Sequence, residues 1–196
     1  MKKKILLTVI ALVLALVCLT ACNKFESALK NVTSLLDVKY SKIALHVTTT
    51  TNGFELKGVY TFTFEKDKTT VDYSFDKLNE LSLDGNNEEE YISTVTGTAV
   101  VKDGVIVEGD TSLELPQEIN LQRMTFRSTY FKNYTITSSK FEADVSNPKG
   151  FTGNKELKCS NMHLKILCRK DALSQIAITY LSEGGSKVKI TYVFTK

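Results

Sequence analysis

Two histidines, three arginines and four cysteines are all that this 196-residue chain holds of the residue types that most often carry chemistry. His46 and His163 each fall in a stretch that alternates like a strand, on the side opposite the aliphatic residues, which is the usual place of a surface histidine. Neither is expected to serve as a base or a metal ligand. No Cys-x-x-Cys, His-Glu-x-x-His or Gly-x-Ser-x-Gly motif occurs, and the glycines sit at turns rather than in a phosphate-cradling run. The arginines Arg123, Arg127 and Arg169 are scattered, and no basic stripe exists to meet a nucleic acid. We therefore expect a non-enzymatic protein with no cofactor, no metal and no nucleic-acid partner. Internal repeats, low-complexity tracts and linkers are also lacking, so one domain is expected.

What is present begins at the N-terminus. Lys2, Lys3 and Lys4 precede an apolar run over residues 5–19 that only Thr8 interrupts. Small residues then lead to a cysteine in Leu19-Thr20-Ala21-Cys22. A basic segment, an apolar run and small residues before a cleavage point read as an export signal. The last four residues resemble the lipobox of bacterial lipoproteins. That resemblance implies cleavage before Cys22, a diacylglycerol on its thiol, and a domain held on the extracytoplasmic side of the cell membrane. Two or more acyl chains make such an anchor stable, at about 0.8 kcal/mol per buried methylene. Cleavage would remove residues 1–21 of 196 and leave 175, with three lysines gone from a formal charge of +3 and a neutral domain remaining.

Phe25, Leu29, Val32, Leu35 and Leu36 recur at helical spacing, so residues 23–38 are expected to form an amphipathic helix, with Asn23 and Glu26 as a capping box. Beyond it the period changes to two. Ile43, Leu45 and Val47 alternate, Asn52-Gly53 marks a tight hairpin turn, and Leu56, Tyr60, Phe62 and Phe64 follow in phase. A turn at Asp67-Lys68 would lead into Val71, Tyr73 and Phe75. These turns pair Leu45 with Tyr60, Ile43 with Phe62, Phe64 with Val71, Phe62 with Tyr73 and Tyr60 with Phe75, all on one face. Gly58 opposite Val47 would leave a hollow.

Residues 78–90 read as an irregular connector whose Asp84, Glu88, Glu89 and Glu90 form a solvated acidic loop rather than a calcium site. Residues 91–101 and 105–109 form a hairpin about Asp103-Gly104. Residues 119–126 read as a strand, 134–145 as one or two strands, 147–155 as a loop, 157–168 as a strand, and 173–181 with 187–194 as a closing hairpin. Cys159 and Cys168 share one strand nine residues apart, about 30 Å if it is continuous, so free, half-buried thiols are expected rather than a disulfide. Their odd separation sets them on opposite faces and puts Cys159 on the face of His163.

The expected fold is α+β, mostly β: an N-terminal amphipathic helix on a large, curved antiparallel sheet of about nine to eleven strands. This architecture resembles the LolA and LppX type of carrier, in which a curved sheet wraps helices and a ligand cavity. The resemblance implies an apolar or amphipathic ligand, such as a lipid, bound on a surface that includes Tyr60, Phe62, Phe64, Tyr73 and Phe75. The alternative is an envelope or surface subunit that docks another protein; a cell-envelope enzyme ranks below both. Because an alcohol is a far poorer nucleophile than a thiolate, Cys22→Ser should abolish incorporation of radiolabelled palmitate and leave uncleaved precursor. Undiminished labelling in that variant would overturn the lipobox reading.

Overall fold

A computed structural model describes residues 24–83, 87–103, 105–110 and 120–196, with the side chains of residues 80–83 and 87–90 excepted. The lipobox, Cys22, Asn23, the Asp84-Gly85-Asn86 tip, Gly104 and Ile119 lie outside the described residues. Ten strands form one open antiparallel sheet: β1 Lys42–Thr51, β2 Phe54–Phe64, β3 Thr69–Leu83, β4 Asn87–Lys102, β5 Val105–Glu108, β6 Phe131–Ile136, β7 Lys140–Val145, β8 Cys159–Arg169, β9 Ala172–Ser182 and β10 Lys187–Thr195. Their order across the sheet is β5-β4-β3-β2-β1-β10-β9-β8-β7-β6. Each half of the chain is thus a meander. One runs outward from β1 to the β5 edge; the other starts at the β6 edge and runs inward to β10. The halves join where β1 pairs with β10, Leu45 facing Tyr192 and Val47 facing Ile190.

Residues 24–36 are helical (α1). Phe25, Leu29, Val32 and Leu35 are buried in the same core as the inward residues of the sheet. Tyr40 fastens the far end of this helix. Its hydroxyl donates to the Leu35 carbonyl at 2.8 Å and accepts the Leu173 N–H at 2.9 Å, linking α1 to β9. Among the described residues, no helix is long and apolar enough to cross a membrane.

The first hairpin has the expected register, Leu45 opposite Tyr60, Ile43 opposite Phe62 and Val47 opposite Gly58. Asn52 (φ 47°) and Gly53 (φ 85°) both take left-handed backbone, as a twisted two-residue turn requires. The second hairpin differs from expectation. Its turn is Lys66-Asp67, closed by Glu65 N–H donating to the Lys68 carbonyl at 2.9 Å. Tyr60 therefore faces Tyr73, Phe62 faces Val71, and Phe64 faces Thr69. Moving a turn by one residue moves the register by two, so every side chain keeps its face while changing its partner. No glycine or asparagine in Glu65–Lys68 marks the turn, which is why the sequence misplaces it.

Three further segments depart from expectation. Residues 78–90 are no loose connector, because β3 and β4 pair from Thr69 with Val101 as far as Leu83 with Asn87. Leu121–Arg123 is a 3-10 turn capped by the Asn120 side chain rather than part of a strand. The expected loop at 147–155 contains a short helix (α2), Pro148–Thr152. Asn147 accepts the Gly150 N–H, proline occupies the first turn, and Gly153 ends the helix at φ 66°. A Cβ at Gly153 would also press on the Arg123 carbonyl, so glycine is required there twice over.

Two asparagines in left-handed conformation, Asn133 (φ 51°) and Asn161 (φ 52°), make bulges in β6 and β8. A bulge adds one residue and reverses the inward–outward alternation beyond it. At Asn133 this turns Tyr134 inward, where its ring stacks on Phe25 at 4.0 Å between centroids. At Asn161 it turns Cys159 toward the core, so Cys159 and Cys168 both pack against it, contrary to the opposite faces expected from their spacing. Both thiols are free, and burial raises the pKa of each. Phe126, Phe131, Phe141 and Phe151 close this half in mostly edge-to-face contacts at 5.5 Å. Phe141 is fully enclosed while Phe64 is 43% exposed. Phe141→Ala should therefore cost about 3–5 kcal/mol in urea melts and Phe64→Ala less than about 1 kcal/mol. Equal costs would mean that the two halves of the sheet are equally covered.

Candidate functional site

The five aromatics singled out by sequence all reach the inward face of the β2–β3 half, and they differ in cover. Tyr60 and Tyr73 are buried, Phe62 and Phe75 half-buried, and Phe64 exposed. Phe75 stacks on Tyr60 at 6.2 Å and on Tyr73 at 6.0 Å. Two glycines shape this surface. The Tyr60 ring lies over Gly58, and a Cβ on Gly58 would come within 3.1 Å of it. The Tyr73 ring lies over Gly97 so closely that any Cβ there would displace it. The hollow expected at Gly58 is thus filled by a neighbouring aromatic ring laid flat on the sheet, a known remedy for glycine in a strand. Burial alone raises the Tyr60 hydroxyl pKa.

The other half of the face is closed. Leu164, Ile166, Ile176 and Ile178 are all 0% exposed. The apolar face of one continuous sheet is therefore sealed from β7 to β10 and only partly covered on β2 and β3. Two open concavities lie away from the aromatics. One, of about 530 Å³, is bordered by Asn147, Lys149, Lys158, Cys159 and Glu183. The other, of about 440 Å³, lies between the β2–β3 and β4–β5 turns.

The outward face carries a cluster that the sequence did not reveal. His163 on β8 lies opposite Asp144 on β7. Its Nδ1 is 3.0 Å from Asp144 Oδ1 and its Nε2 is 3.1 Å from Glu142 Oε1. Lys140 Nζ reaches the other oxygen of Glu142 at 2.7 Å, and Asn133 donates to Asp144 at 2.8 Å. The two ring nitrogens point to two different carboxylates, the arrangement of a doubly bonded imidazolium rather than of ligands converging on one ion. Cys159, turned inward, lies on the other face and does not join His163. His46, also on the outward face, is exposed. Among the described residues, no group of three or more His, Cys, Asp or Glu side chains is placed to hold a metal.

Burial disfavours protonated His163, but the hydrogen bonds to Asp144 and Glu142 outweigh it and raise its pKa above 6.5. The Lys140 hydrogen bond, and then that of His163, hold Glu142 at about 2. His163, and then Asn133, lower Asp144. The signal available in the sequence was Glu142-x-Asp144, two carboxylates on one strand face; only the β7–β8 register shows that His163 sits between them.

No protein-family model matches this sequence, and no curated protein matches it significantly.

The pH dependence follows from the direction of each shift. A raised histidine pKa contributes stability that is complete below 6.5 and is lost as pH climbs through the folded value. A depressed Glu142 contributes stability that is complete above 4.5 and is lost as pH falls through about 2. The stability difference between the native protein and His163→Gln should therefore be largest near about pH 5.5 and fade by about pH 9 in denaturant melts. A difference that grows with pH would show that His163 is not protonated between its two carboxylates.

Proposed function

We propose that this protein is a non-enzymatic bacterial lipoprotein, anchored through Cys22 on the extracytoplasmic side of the membrane, that binds an apolar or amphipathic ligand such as a lipid. The uneven cover of the sheet carries this reading. Half of the apolar face is sealed by α1, α2 and the phenylalanine cluster, while Phe62, Phe64 and Phe75 on the other half keep accessible ring surface. Uncovered aromatic surface next to a closed core is suited to an apolar ligand, since burying it gains about 25 cal/mol per Å². On this reading the helix over residues 24–36 covers part of a curved sheet in the manner of the LolA and LppX carriers, and the expected extension to residue 38 ends instead in a turn at Asp37-Val38. The ligand then lies on the Tyr60, Phe62, Phe64, Tyr73 and Phe75 surface that the helix leaves open.

The short tether supports the same reading. Lys24, two positions after Cys22, is already helical. At no more than about 3.5 Å per residue, the domain cannot stand far from the bilayer. A protein that exchanges apolar cargo with the membrane gains from that proximity. A second reading, an envelope protein that docks another protein, is favoured by the outer edge of β4 over residues 91–97, which has no strand partner among the described residues.

Native mass spectrometry of the domain starting at Asn23 should find co-purified lipid. Phe62→Gln with Phe64→Gln should weaken binding of a fluorescent fatty acid about tenfold or more, with only a modest loss of stability. A domain that carries no lipid and binds the fatty acid no better than the double variant does would refute a ligand on this face.

A further inference from the structure

The sheet has two edges, and they are built differently. At the β6 edge, Lys132 and the bulge at Asn133 interrupt the ladder. Charges and bulges of this kind are how natural sheets prevent further pairing. At the other edge β5 is only four residues long and pairs with β4 only from Val100 to Lys102. Gly109 then lies beside Thr98. Among the described residues, the outer side of β4 over residues 91–97 has no backbone partner. The sequence there is Tyr91-Ile92-Ser93-Thr94-Val95-Thr96-Gly97, uncharged, rich in β-branched residues, and free of proline and bulges. A long, uncharged, regular edge is a template for an additional strand.

We propose that this β4 edge is a strand-addition site for an extended segment of a partner protein that alternates basic with apolar residues. The surroundings select that pattern. Ile92, Thr94 and Thr96 lie on the outward face and are exposed, while Ser93, Val95 and Gly97 lie on the inward face and are half-buried. On the outward face, Asp72 accepts from Thr98 at 2.8 Å and Asp76 accepts from Thr94 at 2.9 Å, so both carboxylates are drawn up against β4. Glu108, exposed and paired with Val100, holds an outward position at one end of the free edge. Among the described side chains, Lys102 is the base on the outward positions of β3–β5. An added strand would thus set every second residue among carboxylates and the alternate ones beside Val95. The unpaired backbone makes the site; the acids choose what it takes.

Asp76 also holds this region apart from the rest of the sheet. Its other oxygen accepts the Lys57 backbone N–H at 2.9 Å, which lowers its pKa and takes the place of the next ladder bond from β2. The β2–β3 pairing runs only from Phe64 with Thr69 to Gly58 with Phe75. Beyond it, β3 and β4 continue as a two-stranded ribbon, and a ribbon of two strands is marginal until a third strand or another surface joins it. A second copy of this chain is a poor occupant. Two β4 edges paired antiparallel about Thr94 would set the Asp72 and Asp76 carboxylates of both copies on one face. This inference does not depend on the apolar-ligand reading, which concerns a different face.

The test uses the full chain in nonionic detergent and a fluorescein-labelled, end-blocked peptide, Lys-Val-Lys-Val-Lys-Val-Lys. Binding is followed by anisotropy, and backbone protection by hydrogen exchange. The peptide should bind and slow amide exchange within residues 91–97. Binding should weaken about tenfold or more when glutamate replaces each peptide lysine, when the peptide backbone is N-methylated, or when the protein carries Thr96→Lys. Absence of binding, equal binding of the N-methylated peptide, or protection confined to other residues would overturn the proposal. So would a dimer of the free chain that already protects residues 91–97, because the edge would then belong to a second copy.

Discussion

The ladder between β1 and β10 holds the two halves of the chain in one sheet. Nine residue pairs run from Lys42 with Thr195 to Thr50 with Lys187. They join the strand nearest the start of the domain to the strand at its end, so the pairing closes a loop of nearly the whole described chain. Such a contact is slow to form, because the loop must close before the ladder gains anything. Once made, it aligns Ile43, Leu45 and Val47 with Phe194, Tyr192 and Ile190 and makes the two meanders share one apolar face. The strand order and the placing of β5 and β6 at opposite edges both depend on it.

A ten-stranded sheet with one apolar face needs more cover than one short helix provides. The chain meets that need by different means on the two halves. On the β6–β9 side, the bulges at Asn133 and Asn161 turn Tyr134 and Cys159 inward, and α2 delivers Phe151 into the phenylalanine cluster. On the β2–β4 side, Tyr60 and Tyr73 lie flat over Gly58 and Gly97, so the strand covers itself. The second means leaves the rings of Phe62, Phe64 and Phe75 partly in solvent. The proposed ligand surface and the proposed strand-addition edge both lie in that half. The His163 cluster lies in the closed half, where its cross-strand hydrogen bonds tie β7 to β8 from the outside.

How much of this could be read from residues alone varies with the kind of signal. Asn52-Gly53 defines a turn by its backbone, and every pair of the first hairpin followed correctly. Lys66-Asp67 gives no such sign, and the next register was misjudged by two residues although each face was right. The acidic run at 88–90 reads as loop by composition; cross-strand partners on β3 hold it in a ladder. For Cys159 the simple alternation failed, since a left-handed asparagine at Asn161 is no different in sequence from one on an ordinary surface strand. The aromatic surface was legible as a set because alternation requires only the local period, but its uneven cover was not.

What the sequence determined by itself is therefore local: a helical period that changes to a period of two after Tyr40, about ten strands, and the faces on which most apolar residues lie. These follow from backbone geometry, in which side-chain direction is set by position within a few residues. The tertiary structure alone decided that β10 returns to β1, that His163 stands between Glu142 and Asp144, that two asparagine bulges reverse the pleat, and that β4, among the described residues, keeps an unpaired edge over residues 91–97. Each of these depends on which distant strand becomes a neighbour, and that choice is made by burial summed over the whole apolar face rather than by any one residue.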